Sequence, residues 1–348
     1  MAISYHIQEA DLSTTAAAIQ GLWVSNLGGH DPHSAAAKLR LGYVENPAGR
    51  GCALLLYPEG DSQPTGVQGL HPRVFHYGAQ RLSAAGLADY AVDAVHRSLG
   101  PALMLMRHGC RIGAERFDLT YGLPNQKAAA VLARAGLKRF GMVRRFARPL
   151  CSRTLLAQRL PSWLAALGAP PVDVLLRLCD EWRTVTQRPR LECRDASWED
   201  PALDEVWAHR PASLVLSDRS AAMLRWRFGT PDRGNWQVCI ARDVAGVALG
   251  HTVWRLRDGV AEIGDFFTSD PARLTAPLML AFARRARRVG ALSISVQFFG
   301  YERVARGLLA SGMALRPQQA PLFRLPGGPP ELDSPERWYL TSFDDDAD

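Results

Sequence analysis

The sequence predicts an α/β protein, an α+β mixed sheet with helices, made of two tandem copies of one domain that a helical connector joins. Its length of 348 residues corresponds to about two domains. A pattern of residues near position 90 returns near position 265. Each copy alternates strand-like apolar runs with helical periodicity, which is typical of neighbouring parallel strands joined by crossover helices.

The internal repeat keeps one offset across its best-matching part. Asp89 corresponds to Asp265, 176 residues later (265 − 89 = 176). The same offset relates three further pairs, which are Arg97 and Arg273, Pro101 and Pro277, and Gly136 and Gly312. We therefore predict a first domain over residues 1–150, a connector over 151–194 and a second domain over 195–348.

The first copy shows its elements most clearly. Residues 87–92 form an apolar run of strand length, and helical periodicity follows from Arg97 to Gly113. Residues 117–122 predict another strand. The alanine-rich stretch after Asn125 predicts a helix that Asn125 caps and Gly136 ends.

The connector contains two segments with apolar residues at helical spacing. Gly168 and the pair Pro170-Pro171 lie between these segments, where one helix would stop and the next would begin. The connector is therefore predicted to hold two helices.

The turn between residues 87–92 and the helix after it reads Arg97-Ser98-Leu99-Gly100-Pro101-Ala102. A helix N-terminus leaves backbone N–H groups without internal partners, and together with the helix dipole these groups bind phosphate oxygens. Gly100 lets a pyrophosphate approach the backbone closely, and Pro101 presets the helical φ angle. Because Arg97 adds positive charge, the turn predicts a pyrophosphate cradle.

At this turn the chain resembles the GNAT (N-acetyltransferase-like) superfamily of acyltransferases. The family's donor-binding motif, Arg/Gln-x-x-Gly-x-Gly/Ala after its fourth strand, is matched by residues 97–102. Its second signature, an Asn before a helix that ends in Gly-Phe, is matched by Asn125 and Gly136, with Leu137 in the Phe position. The resemblance covers most of residues 1–150 in order and the second half more faintly.

The resemblance implies two tandem GNAT-like acyl-CoA acyltransferase domains, the first binding the donor and the second degenerate. Acyl-coenzyme A would be the co-substrate, with its pyrophosphate on the backbone of residues 98–102 beside Arg97. Its pantetheine arm would lie between the strands that end near Val92 and Tyr121. Backbone groups of Ala91 and Val92 would bond the arm and polarise the acyl carbonyl. An amine acceptor, either a small molecule or a peptide, would attack the thioester directly in a ternary complex.

The resemblance also suggests candidates for proton transfer. An amine must lose a proton to become a nucleophile, and Asp89 on the same strand is the candidate base. The family often has a tyrosine seven residues after the Asn, as the acid for the departing thiolate. That position here is Leu132. Tyr121 is the predicted substitute, with Tyr90 as the alternative.

Two alternatives remain open at this point. An acidic acyl carrier protein could replace coenzyme A as the donor, docking on a basic helix that contains Arg284, Arg285, Arg287 and Arg288. The second alternative is a non-catalytic scaffold that holds a ligand. It is suggested by Leu132, which replaces the family's tyrosine, and by Ala276 and Leu278, which crowd the position in the second half that corresponds to the cradle. His71 and His76 could face an acceptor.

Composition limits the remaining functions. The net charge of +7 suits anionic partners, but the basic run lacks the interleaved aromatic residues expected for nucleic-acid binding. No apolar run reaches the ~18 residues of a membrane span, and the N-terminus does not resemble a signal peptide. We therefore expect a cytoplasmic protein without nucleic acid as a partner. The HDPH sequence from His30 to His33 is interpreted as a loop, so no metal site is predicted.

Overall fold

The computed structural model describes residues 3–152, 156 and 161–345. The first half contains six strands and four α-helices. In chain order these are β1 (Tyr5–Glu9), α1 (Leu12–Asn26), α2 (Pro32–Leu39), β2 (Cys52–Pro58), β3 (Gly66–Tyr77), β4 (Gln80–Val92), α3 (Leu99–Arg116), β5 (Leu119–Gly122), α4 (Gln126–Arg134) and β6 (Lys138–Pro149). The predicted strand over 87–92 is the last part of the longer strand β4, and the predicted strand over 117–122 begins at Leu119 as β5. Both predicted helices are confirmed. Asn125 caps α4, because its side chain accepts a hydrogen bond from the Ala128 N–H at 2.9 Å.

The second half follows a long connector helix, α5 (Ser162–Thr186), and repeats the same order of elements. It contains β7 (Glu192–Ala196), α6 (Ala202–Ala208), β8 (Val215–Ser217), α7 (Ala221–Phe228), β9 (Gln237–Arg242), β10 (Ala248–Arg257), β11 (Val260–Thr268), α8 (Pro271–Arg288), β12 (Ser293–Gly300), α9 (Glu302–Ala310), β13 (Ala314–Arg324) and β14 (Trp338–Leu340). The short strands β8 and β14 are additions to the repeated pattern. The internal repeat found in the sequence is therefore also a repeat of secondary structure.

All the strands join one mixed sheet in which the two halves exchange their last long strands. The order along the sheet is β1-β2-β3-β4-β5-β13-β6-β12-β11-β10-β9-β7. Strand β13 pairs with β5 of the first half, with Phe323 opposite Gly122. Strand β6 pairs with β12 of the second half, with Phe146 opposite Val296. Each half therefore completes its sheet with a strand of the other.

The connector departs from the prediction of two helices. A single helix, α5, runs from Ser162 to Thr186 with Pro170 and Pro171 inside it. A proline inside a helix removes a backbone hydrogen bond. Both prolines are exposed, so water can satisfy the freed carbonyl groups. Residues 153–155 and 157–160 lie outside the described residues, and of these residues 155 and 157–160 belong to the first predicted segment.

The basic residues of α8 hold the connector rather than forming an open patch. Asp180 on α5 is buried and forms ion pairs with Arg148 on β6 and Arg287 on α8. Arg284 donates to the hydroxyl of Thr184, and Arg285 pairs with Asp195 on β7. Three of the four arginines on this helix face thus contact residues of this chain. The structure therefore does not support the expectation that the face docks an acidic carrier protein. Across the described ranges, no helix is both long and apolar enough to cross a membrane.

The strand exchange makes a testable prediction about the two halves. Residues 1–150 and 151–348, expressed separately, are expected to aggregate, because each piece lacks a strand and exposes unpaired edges. Expressed together, they are expected to copurify as one complex. Size-exclusion chromatography, with the intact chain as the control, measures the aggregation of the separate pieces and the formation of the complex. Two pieces that are each soluble and folded and that do not copurify would contradict the strand exchange.

Candidate functional site

A cleft opens where two parallel strands of the first half separate. Strands β4 and β5 pair only from Ala84–Leu119 to Leu87–Gly122. Strand β4 then continues to Val92 paired with β3 but without β5. The chain after β5 turns away into α4. The resulting cleft has a volume of about 810 Å³, within the usual range for small-molecule sites. Its walls also include Arg257, Ala320 and Asp345 from the second half.

A β-bulge in β4 forms part of the cleft wall. The pairing of β3 with β4 shifts register between Val67–Ala91 and Gly69–Ala88, so two residues of β4 face one residue of β3. Asp89 lies in this bulge with a φ of 53°, in the left-handed region. Bulges of this kind redirect a side chain and are frequent beside active sites. Here the bulge directs the Asp89 carboxylate into a buried position beside the cleft.

Polar side chains from different segments surround the buried Asp89 carboxylate, among them Lys38, His71 and Tyr43. Lys38, in the last turn of α2, places its Nζ 2.9 Å from Oδ1. His71 on β3 places its Nε2 2.9 Å from Oδ2. The hydroxyl of Tyr43 donates to Oδ2 at 2.8 Å. Burial alone would raise the pKa of Asp89, but Lys38 and His71 lower it below its usual range, so the group stays charged.

A glycine makes room for one of these partners. A Cβ atom at Gly69 would lie 1.9 Å from the Tyr43 hydroxyl, so any larger residue would block its path to Asp89. Tyr43 belongs to a π-helical turn over residues 40–44, which follows α2 directly. Turns of this type are frequent at functional sites. The sequence did not indicate Lys38 or Tyr43, because neither belongs to a recognisable motif, and His71 was noted only as a residue near an acceptor.

The cleft wall contains polar atoms that have no hydrogen-bond partner within the described part of the chain. These are Oε1 of Gln68, the hydroxyl of Tyr90 and Nδ1 of His30. The amide nitrogen of Gln68 donates to the carbonyls of Gly69 and Ala88, so its oxygen is left to accept. Burial raises the pKa of Tyr90 to about 12, so its hydroxyl keeps its proton. Buried polar atoms without partners indicate a ligand or water in the cleft.

The predicted pyrophosphate cradle lies at the start of α3. Ser98 is the N-cap residue, and its side chain makes no capping hydrogen bond. Leu99 and Gly100 are exposed, with no atom within 4 Å of a Cβ built at Gly100, while Pro101 and Ala102 are buried. Ser98 donates its N–H to the His96 carbonyl at 2.8 Å, Ala102 donates to the Ser98 carbonyl at 3.3 Å, and Pro101 has no N–H. The predicted cradle over residues 98–102 is therefore reduced to the N–H groups of Leu99 and Gly100. The Arg97 side chain turns back, donating to the Val92 carbonyl and to Asn26.

Other predicted residues lie in different positions around the cleft. Asn125 lines it, as does Leu132. Ala91 and Val92 pair with β3 beyond the point where β5 leaves β4. Tyr121 does not line the cleft.

Tyr121 lines instead a small adjoining cavity of about 10 Å³, together with His71. Its hydroxyl donates to the Asp344 carbonyl at 3.0 Å, and burial raises its pKa. The cavity shares Leu87 and Leu123 with the cleft, so the two spaces adjoin. A space of this size is enough for about one water molecule.

The second half contains a matching buried carboxylate. Asp265 on β11, at the repeat position of Asp89, accepts from Arg219 at 3.1 Å and lies 3.0 Å from Nε2 of His251. The hydroxyl of Thr341 also donates to it. Burial would raise the pKa of Asp265, but Arg219 and His251 lower it. The arrangement of a carboxylate, a cation and a histidine therefore occurs in both halves.

The opening beside Asp265 is filled by the chain itself. Strands β11 and β12 pair only as far as Ile263 and Val296, like β4 and β5. Strand β14 occupies the gap and pairs with β12 at Phe299 and Gly300. The hydroxyl of Tyr339 on β14 donates to the Phe266 carbonyl at 2.5 Å. Within the described residues, the gap that stays open beside Asp89 is therefore filled beside Asp265.

The residues that the structure describes contain no group of three or more His, Cys, Asp or Glu side chains placed to hold a metal ion.

Solved structures identify the fold, although no family model matches the sequence and no curated protein matches it. A protein of unknown function from Enterococcus faecalis aligns over 92% of this chain and 72% of its own, with a TM-score of 0.63 and 12% identity. A GCN5-related N-acetyltransferase from Anabaena variabilis aligns over 92% of this chain and 72% of its own, with a TM-score of 0.59 and 15% identity. The chain has the GCN5-related N-acetyltransferase fold.

The acetyltransferase fold is also shared by a larger enzyme. The N-myristoyltransferase of Saccharomyces cerevisiae, solved with bound myristoyl-CoA, aligns over 93% of this chain and 79% of its own. The TM-score is 0.54 and the identity 10%. Because these alignments cover nearly all of this chain, the likeness extends to both halves.

The Asp89 cluster predicts a measurable stability effect. Asp89→Asn is expected to lower the free energy of unfolding by about 3–5 kcal/mol at pH 7, because it breaks the buried ion pair between Asp89 and Lys38. The folded-state pKa of Asp89 is lowered, so its contribution is complete above the unfolded pKa near 3.9 and is lost as pH falls below it. Urea unfolding at several pH values should show the difference shrinking below about pH 4.

Asp258→Asn is the matched control for this substitution. Asp258 also has a positive φ, 49°, but its side chain is 92% exposed. Its substitution is expected to change stability by less than about 0.5 kcal/mol at any pH. An equal loss in both variants would contradict the importance of the buried partners.

Proposed function

We propose that this chain is an N-acyltransferase that binds an acyl-coenzyme A in the cleft of its first half and transfers the acyl group to an amine. The observation that carries the proposal is the open separation of β4 and β5, about 810 Å³ in volume, beside a buried carboxylate and histidine. The acetyltransferase fold and the sequence resemblance at residues 97–102 both favour a thioester donor at this position.

The cleft offers suitable groups for an acyl-pantetheine arm. The arm carries amide groups, and the wall offers an acceptor in Gln68 Oε1 and a donor in the Tyr90 hydroxyl. Beyond Leu87, the edge of β4 that β5 has left can bond the arm through its backbone, at Ala91 and Val92 among others. The exposed first turn of α3, with Gly100, then receives the pyrophosphate.

The reaction is a direct displacement at the thioester carbonyl. The amine nitrogen of the acceptor attacks the carbonyl carbon, a C–N bond forms, and the C–S bond breaks. The nitrogen loses one proton and the departing thiolate sulfur gains one, so the products are an amide and free coenzyme A. Two groups of the chain are needed, one to receive a proton and one to donate one.

We assign proton acceptance to His71 with Asp89 behind it. Asp89 was the base predicted from the sequence, but its lowered pKa and its buried partners make it a weak base. The Asp89 carboxylate, 2.9 Å from Nε2, holds the position of the His71 ring by electrostatic contact. His71 also lines the small cavity, whose volume allows one water to relay the proton from the acceptor. Asp89 is thus a positioning residue.

Tyr90 is better placed than Tyr121 to protonate the thiolate. The Tyr90 hydroxyl lies in the cleft wall without a partner among the described residues and keeps its proton. The Tyr121 hydroxyl already donates to Asp344, outside the cleft. Tyr90 would therefore act where the family's tyrosine is replaced by Leu132.

The donor site is tested by binding. Calorimetry with acetyl-coenzyme A is expected to show one site, and Arg97→Glu is expected to weaken binding at least tenfold through repulsion of the pyrophosphate. Arg273→Glu, at the repeat position 176 residues later, is the control and should leave the affinity unchanged. If the wild type binds no acyl-coenzyme A, the proposal fails, and turnover with an acyl carrier protein would then identify a carrier as the donor.

The proton-transfer assignment is tested by kinetics on a panel of amines. His71→Gln is expected to lower kcat by about 10²–10⁴-fold with little change in acyl-coenzyme A affinity. His251→Gln changes the matching histidine of the closed second site and should leave kcat within a few-fold of the wild type. Equal losses in the two variants would show a structural effect only. Binding of the donor without turnover of any amine would favour a non-catalytic scaffold.

A further inference from the structure

The connector helix α5 carries an uncovered apolar face. Its opposite face is held to the protein by Asp180 and Thr184, which are buried. Leu178, Trp182 and Val185 are 61%, 72% and 64% exposed. We define the apolar stripe as the exposed residues within one face of α5, which are Leu164, Leu167, Pro171, Val174, Leu175, Leu178, Trp182 and Val185.

The stripe follows helical geometry closely. At 100° per residue, the eight positions occupy an arc from about 40° on one side of Leu178 to about 60° on the other. Trp163, 63% exposed, borders this arc. From Leu164 to Val185 the stripe extends about 32 Å at 1.5 Å per residue. It is therefore continuous over almost the whole helix rather than a set of scattered exposed side chains.

The size of the stripe is unusual for an isolated chain. The largest apolar patch on a monomeric protein is about 300–600 Å². Trp182 alone, mostly exposed, adds well over 100 Å², and seven further apolar side chains accompany it. The area approaches the ~800 Å² per partner of a standard stable interface.

The spacing of the stripe fits an antiparallel second copy of the same helix. The gaps between successive positions are 3, 4, 3, 1, 3, 4 and 3 residues, which is the same in either direction. An antiparallel copy of the same helix therefore presents apolar residues at matching heights, with Leu164 opposite Val185 and Leu167 opposite Trp182. This self-complementarity is what a two-fold symmetric interface requires.

We infer that the stripe is a dimer interface, in which α5 packs antiparallel against α5 of a second copy. The two-fold axis passes between Val174 and Leu175, so the two Leu175 side chains lie beside each other across it. The inference does not depend on acyl transfer, since α5 contributes no residue to the cleft wall.

The oligomeric state of the full chain tests the inference. Sedimentation velocity is expected to give twice the monomer mass of 38.2 kDa at micromolar concentration. Leu175→Glu should raise the dimer dissociation constant at least a hundredfold, because it places two carboxylates side by side. Val244→Glu, at a 93% exposed valine outside the connector, is the control and should remain dimeric.

A charge exchange separates a lost interface from a misfolded variant. Leu175→Lys is also expected to be monomeric alone, and an equimolar mixture with Leu175→Glu is expected to recover the dimer through a Glu–Lys pair across the axis. A wild type that stays monomeric to about 100 µM would overturn the inference. So would a dimer that survives Leu175→Glu, or a monomeric wild type that binds anionic vesicles through the stripe.

Discussion

The exchange of β6 and β13 is the constraint on which the rest of the structure depends. Strand β13 pairs with β5, and β6 lies between β13 and β12, so the sheet is continuous across the two halves. Strand β5 is held on one side by β4 and on the other by a strand of the second half. Its divergence from β4, which creates the cleft, is therefore fixed by both halves. Packing of a single half would not fix it.

The two halves show how one arrangement can support different roles. Asp89 and Asp265 each keep a buried cation and a histidine, because a buried carboxylate without partners would be costly. The bulge at Asp89 and the absence of a covering strand leave the first site next to an open space. At the second site, β14 fills the same gap and Thr341 completes the shell around Asp265. The difference lies in what covers the carboxylate.

Local features of the fold could be predicted from the sequence, and long-range ones could not. The strand at residues 87–92 and the cap at Asn125 depend on patterns within short segments, and the repeat depends on the likeness of such segments 176 residues apart. The strand exchange depends on whether β6 or β13 pairs with β5. The two strands have similar patterns, and the sequence of a single strand does not specify which neighbour it pairs with. Lys38, Tyr43 and His71 meet Asp89 only through a π-helical turn and a bulge. The sequence predicted two helices separated at Pro170, whereas one helix contains this residue. A proline is tolerated there because it is exposed to water, and its exposure is a property of the folded chain.

The C-terminal segment connects the closed opening of the second half with the cleft of the first half. Residues 338–344 fill the gap between β11 and β12, and the Asp344 side chain is held by Arg219. From there the segment reaches the first half, where the Asp344 carbonyl accepts from Tyr121 and Asp345 joins the cleft wall. The segment that closes one site therefore shapes the other. A change at the buried Arg219 cluster should consequently reach the cleft through a continuous series of contacts.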